Sequence, residues 1–184
     1  MPAINAIKPN LKDSFYHIYN RGSDKKLIFK DNYDYKYFIY LLNRYLFKTT
    51  TVLDKYDNKK IEIPNIKYIG NKVEIHVYCL MPNHIHFLLK QKQLNGMKEF
   101  MKKLSISYAM YFNKKYDSSG RLFQGVYKAR LIRTEQELIN ITQYIHSNPL
   151  NISPTLDYRW SSYKYYKYKD DDNLITKRID LFQG

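Results

Sequence analysis

A chain of 184 residues is long enough for one domain with a buried core and a short appendage. Its 31 Lys and Arg against 17 Asp and Glu leave a net charge of +14. That fits a polyanionic partner, although an AT-rich genome would by itself enrich Lys, Asn, Tyr and Ile. The lone cysteine, Cys79, excludes an intrachain disulfide and a cysteine-rich zinc site. No apolar run reaches membrane-spanning length and MPAINAIKPN lacks a signal-peptide core, so a cytoplasmic protein is expected.

Phe15 to Tyr19 (FYHIY) is aromatic and β-branched and is followed by the turn signal NRGSD, which predicts a short strand and a loop. From Asp31, a candidate N-cap, to Phe47 the apolar residues recur at helical spacing, with Phe38, Leu41, Leu42 and Tyr45 on one side. Thr49 to Lys72 mixes β-branched and polar residues and fits either an extended loop or an exposed hairpin. Val73 to Leu80 alternates as a strand does, MPN turns the chain, and His84 to Leu89 is the next strand. Leu94 to Tyr116 is a long helical pattern ended near Gly120, and Gly125 to Ile132 is predicted as a fourth strand. Thr134 with Glu137 three residues on forms a capping box, opening a helix that runs to about Ser147 before Pro149.

The order β-α-β-β-α-β plus a helix predicts an α+β fold of ferredoxin-like or RRM-like type. Its antiparallel sheet should carry helices on one face and leave the other for a site. Residues 1–150 form the expected catalytic domain, with 58–71 as an insertion and 151–184 as a C-terminal tail.

Within LMPNHIHFLLK, His84 and His86 are two residues apart on a strand and therefore point to one side, while Ile85 and Phe87 point to the core. Two neutral imidazoles can share one divalent ion, yet they are too few for a closed structural zinc site. The plainer alternative is a pair of solvent-facing histidines. A third ligand is at hand in TQYIHSNPL, where Tyr144 and Asn148 lie four apart on one helical face. If that face packs over the free side of the sheet, the Asn148 amide oxygen and the Tyr144 hydroxyl meet the histidine pair. His17, His76 and His146 are isolated in sequence, and a structural role is expected for each.

YHIYNRGSDKKLIF, YCLMPNHIHFLL, YAMYFNKKY, GRLFQGVYKARLI, YIHSNPL and YRWSSY follow one another in an order that resembles the HUH single-strand DNA transposases (the IS200-like superfamily with one catalytic tyrosine). Within them the resemblance is closest to the REP-associated tyrosine transposase branch. It implies metal-dependent cleavage and rejoining of single-stranded, hairpin-bearing DNA through a 5′-phosphotyrosine intermediate. His84, Ile85 and His86 match the HUH triplet, Tyr144 the nucleophile, and Asn148 the polar ligand four residues later. The implied ion is Mg²⁺ or Mn²⁺. Arg21, Lys128, Arg130 and Arg133 are candidate phosphate contacts, while Lys102, Lys103, Lys114 and Lys115 make a basic helix face of the kind that is usually just solvated. Tyr163 and Lys164 open YKYYKYK, which interleaves rings and cations as single-strand binders do, or else is a packed or disordered tail. A monomer or homodimer is expected. Two rivals remain: a non-catalytic DNA- or RNA-binding module, and a domesticated HUH nuclease that only nicks.

Overall fold

The computed structural model describes residues 8–53, 59–153 and 158–168. Its elements are β1 (Ser14–Arg21), α1 (Asn32–Leu46), β2 (Thr49–Leu53), β3 (Lys60–Pro64), β4 (Val73–Met81), β5 (His84–Gln91), α2 (Gly96–Lys115), β6 (Lys128–Ile132), α3 (Glu135–Ser147) and α4 (Tyr163–Tyr168). Strands β4-β5-β1-β6 form one antiparallel sheet in that order. This is the ferredoxin-like arrangement, in which β1 lies at the centre beside both β5 and β6. The undecided stretch after α1 is a hairpin, β2 with β3, which forms a separate two-stranded sheet.

Each face of the main sheet has its own core. Tyr16, Ile18, Ile85, Phe87 and Leu89 pack with Phe38 and Leu42 of α1 and with Phe100, Leu104 and Tyr108 of α2. The period-two alternation of β1 and β5 puts these side chains on one side. On the other side Val77, Cys79, Met81 and Leu88 meet Ile141 and Ile145 of α3, joined by Ile132. Strand β4 is therefore apolar almost throughout, since both of its faces are covered.

Helix α1 starts where Asp31 predicts it, with a full capping box to Asp34. The Thr134 cap is only half of the expected box. Thr134 accepts from the Glu137 N–H, but the Glu137 carboxylate takes the Arg133 N–H and the Arg130 guanidinium instead. The fourth strand begins at Lys128, not Gly125, because Gly125 holds a φ of 76°, incompatible with a ladder. Part of the expected tail lies along the outer edge of β4: Ser162 N–H donates to the Tyr78 carbonyl at 3.0 Å, and Trp160 stacks on Tyr35 at 4.6 Å. Lys169 and the DDDN run lie outside the described residues.

Asp34 ties α1 to α2. Its fully buried carboxylate accepts from the Lys30 N–H, the Tyr111 and Tyr116 hydroxyls and the Lys115 ammonium, all within 3.0 Å. Burial alone would raise its pKa, but these donors, Lys115 foremost, bring it below the usual carboxylate value. Asp34→Ala should cost about 3 kcal/mol, because it deletes the shared acceptor of several buried donors. Urea unfolding at neutral pH reads this directly. Wild-type stability from this carboxylate should persist above the ordinary carboxylate range and fade as pH falls through the lowered value. The variant should lack that acid limb.

Candidate active site

Three adjacent strands and one helix build the site. In register, Cys79 of β4, His86 of β5, Tyr19 of β1 and Lys128 of β6 form a row across the sheet, with His84 opposite Arg21 one step along. The odd-numbered residues of β1 and the even-numbered residues of β5 share this face. Gly22, next to Arg21, fixes the strand end: a Cβ there would lie 2.2 Å from the Lys26 carbonyl oxygen, and its N–H donates to Asn83 in the β4-β5 turn at 2.8 Å. That bond holds the turn from which His84 departs.

Helix α3 crosses this face. The Tyr144 ring lies 5.7 Å from His86 and 5.8 Å from His17, meeting both edge to face. Tyr144 is 50% exposed, unlike the fully buried Tyr108. One turn later the chain tightens into a 3-10 turn at Asn148–Asn151, where Pro149 ends the α-helix. The Asn148 amide donates to the Tyr144 carbonyl at 2.8 Å, and this aims its Oδ1 at His84 Nε2, 3.4 Å away. His84 Nδ1 sits 2.7 Å from Asn83 Oδ1, and the His84 and His86 rings are 4.9 Å apart.

The electrostatics keep the imidazoles neutral. Burial lowers the His84 pKa, only partly offset by the Asn148 contact. His86 is held well below its ordinary value by burial and then by His17 and His84. Burial, with Arg130 nearby, takes His17 down to about 4. Neutral rings with lone pairs, beside an amide oxygen, fit a divalent ion of borderline or hard character. Among the described residues no group of three or more His, Cys, Asp or Glu is placed to hold a metal ion, and the further oxygen beside His84 is the Asn148 amide.

Two clefts flank the Tyr144–His86 ridge and share Tyr19, His86 and Tyr144. One, of about 450 Å³, is lined by Arg21, Lys25 and Lys128 with no carboxylate. The other, of about 520 Å³, carries Arg130, Glu137 and Asn140 over an apolar floor of Ile132 and Ile141. Arg21 and Lys128 thus lie at the site, with Arg21 Nε donating to Gln124 at 2.6 Å. Arg130 joins them but is paired to Glu137 at 3.0 Å, and Arg133 is exposed at the start of α3. Tyr163 and Lys164 are not brought to this cluster. Tyr163 packs against His146 beside β4, at the opposite side of the sheet from β6, and Lys164 sits over Tyr165. Lys103 and Lys115 pair with acids on the helical layer behind the sheet.

His17, expected from its isolation in sequence to be structural, lies against His86 and Tyr144. Its Nε2 lies 2.9 Å from His86 Nδ1, with both rings buried. Strand parity with β1 placed beside β5 would have found it. His146 does take a structural position, bound to Ser162 Oγ at 2.9 Å, and burial holds it at about 4. His76 lies at the β4 bulge, 3.6 Å from Glu74.

The family model described as "Transposase IS200 like" matches residues 31–148, more than half of the chain. No curated protein matches. Among solved structures, one described as a REP-associated tyrosine transposase bound to a REP hairpin aligns over 97% of this chain and 93% of its own. The TM-score is 0.57 at 12% identity, which speaks for the fold. A second, described as a transposase from Deinococcus radiodurans R1, covers 80% of this chain and 97% of its own at 16% identity and a TM-score of 0.44.

Proposed function

Because this chain belongs to the IS200-like transposase family, we propose that it cleaves and rejoins single-stranded, hairpin-bearing DNA through Tyr144, as the REP-associated branch of that family would. Membership supports DNA transposition, and the family generally uses a divalent metal. The observation that carries the finer reading is the placement of Tyr144. It is a half-exposed residue on the helical turn whose next residue on that face, Asn148, reaches His84 of the histidine pair.

The Tyr144 oxygen attacks the scissile phosphorus and loses its proton to solvent. The bond from phosphorus to the 3′-oxygen breaks, and that oxygen departs as a 3′-hydroxyl. The 5′-phosphate stays on Tyr144. Attack by a 3′-hydroxyl reverses the exchange and frees the tyrosine, so no ATP is consumed. A divalent ion held by His84, His86 and Asn148 would neutralise the phosphate oxygens and favour in-line attack. Arg21 and Lys128 would grip flanking phosphates from the basic cleft, where no acid competes.

An RRM-like binding module would leave its sheet face open for bases to stack. Here α3 lies across that face, which disfavours the binding-module reading. A nuclease that only nicks uses the same first step and the same residues. The partner is DNA, and the solved neighbour's REP hairpin motivates the substrate chosen for testing. No helix among the described residues is long and apolar enough to cross a membrane.

Fluorescence anisotropy should show tighter binding to a hairpin with a single-stranded flank than to blunt duplex. The affinity should fall steeply with salt, as phosphate neutralisation requires. Equal affinity for both would contradict the proposal.

A further inference from the structure

We infer that His17 is a positioning residue for His86: it accepts the His86 Nδ1 proton and so holds His86 in the tautomer whose Nε2 lone pair is free to ligate. The inference rests on the proposed ion site and extends it to a residue outside the HUH triplet.

The contact is 2.9 Å, and both rings are more than nine-tenths buried, so water does not compete for it. The two ring planes differ by only 13°, which brings the N–H of one and the in-plane lone pair of the other into line. Neighbours brace the pair. Tyr19 stacks on His17 at 5.1 Å and on His86 at 6.0 Å, while the Tyr144 ring meets both by its edge.

A neutral imidazole carries one ring proton. If His17 Nε2 were the donor, His86 would have to carry its own proton on Nε2, and that nitrogen could hold no ion. If His86 Nδ1 is the donor, Nε2 is bare. A ligating His86 therefore needs His17 as an acceptor, and the ligand's second nitrogen then has the outer partner that metal-binding histidines use. The strand pattern puts His17 there for this purpose at little cost, since β1 already sends Phe15 and Tyr19 to the same face.

Long-range ¹H–¹⁵N correlation on metal-free, histidine-labelled protein at pH 7.5 reads the tautomer with no ion present. The expected result is the Nδ1–H form alone at His86 in the wild type, and a mixture of tautomers in His17→Phe. Mn²⁺ titration followed by electron paramagnetic resonance should show affinity weakened at least about tenfold in His17→Phe. It should be largely restored in His17→Gln, whose amide oxygen can accept the same proton. An Nε2–H tautomer at His86 in the wild type overturns the inference, and so does unchanged Mn²⁺ affinity in His17→Phe. Should His17→Phe not fold, the wild-type tautomer and the Mn²⁺ affinity of His17→Gln decide the matter alone. Mn²⁺ affinity unchanged by His84→Ala would instead count against the ion site itself.

Discussion

Tyr144→Phe is expected to bind a hairpin oligonucleotide within about twofold of wild-type affinity and to form no covalent adduct with it. The substitution removes one oxygen and keeps the ring, so the edge contacts to His17 and His86 survive. Tyr144 is half exposed, so removing its hydroxyl should leave the core intact. With Mn²⁺ and a 3′-labelled strand, the wild type should retain label after denaturation, since the tyrosine keeps the 5′ phosphate. Other tyrosines are poor substitutes. Tyr108 is fully buried, donates to the Ile28 carbonyl at 2.6 Å and has its pKa raised by burial. The Tyr111 and Tyr116 hydroxyls are spent on Asp34, on the helical side of the sheet. An adduct persisting in the variant, or mapping to Tyr108 or Tyr111, would show that another residue is the nucleophile. No adduct from the wild type would favour a binding module.

The second large effect is expected at the proposed ion site. His84→Ala should slow cleavage roughly a thousandfold, the equivalent of about 4 kcal/mol of transition-state stabilisation lost with the ion. Binding and thermal midpoint should change little, since His84 is only partly buried and its ring touches site side chains, Asn83, Asn148 and His86. Here His84 is a cleaner probe than His86. His86→Ala also empties buried volume and strips His17 of its partner, so some stability should go with the activity. Single-turnover cleavage with and without chelator measures this. Full activity of the His84 variant in chelator would remove the ion from the mechanism.

The strand and helix order was legible because β1, β4 and β5 are β-branched and aromatic runs bounded by turn signals, with alternation at the starts of β4 and β5, and both long helices carry apolar stripes. His84, His86, Tyr144 and Asn148 could be brought together on paper by two periodicities, two on a strand and four on a helix. What remained hidden depended on contacts between distant segments. His17 meets His86 only through strand neighbours 69 positions apart. Trp160 and Ser162 look like tail residues until β4 supplies an edge for them. The start of β6 was misplaced because Gly125 joins an apolar run while its backbone turns away.

The parity of β1 has a consequence for heredity. Odd positions of this strand feed the site and even positions feed the main core, so losing one codon inside it exchanges the two sets: Tyr16 and Ile18 would be cast toward the clefts, and His17 and Tyr19 into the core. A lineage can therefore change what these side chains are, but not how many precede them. Among the described residues the β2-β3 hairpin forms a sheet only with itself, and there whole codons should come and go. Among descendants of one ancestor, length variation should gather between Thr49 and Pro64 and be absent between Ser14 and Arg21.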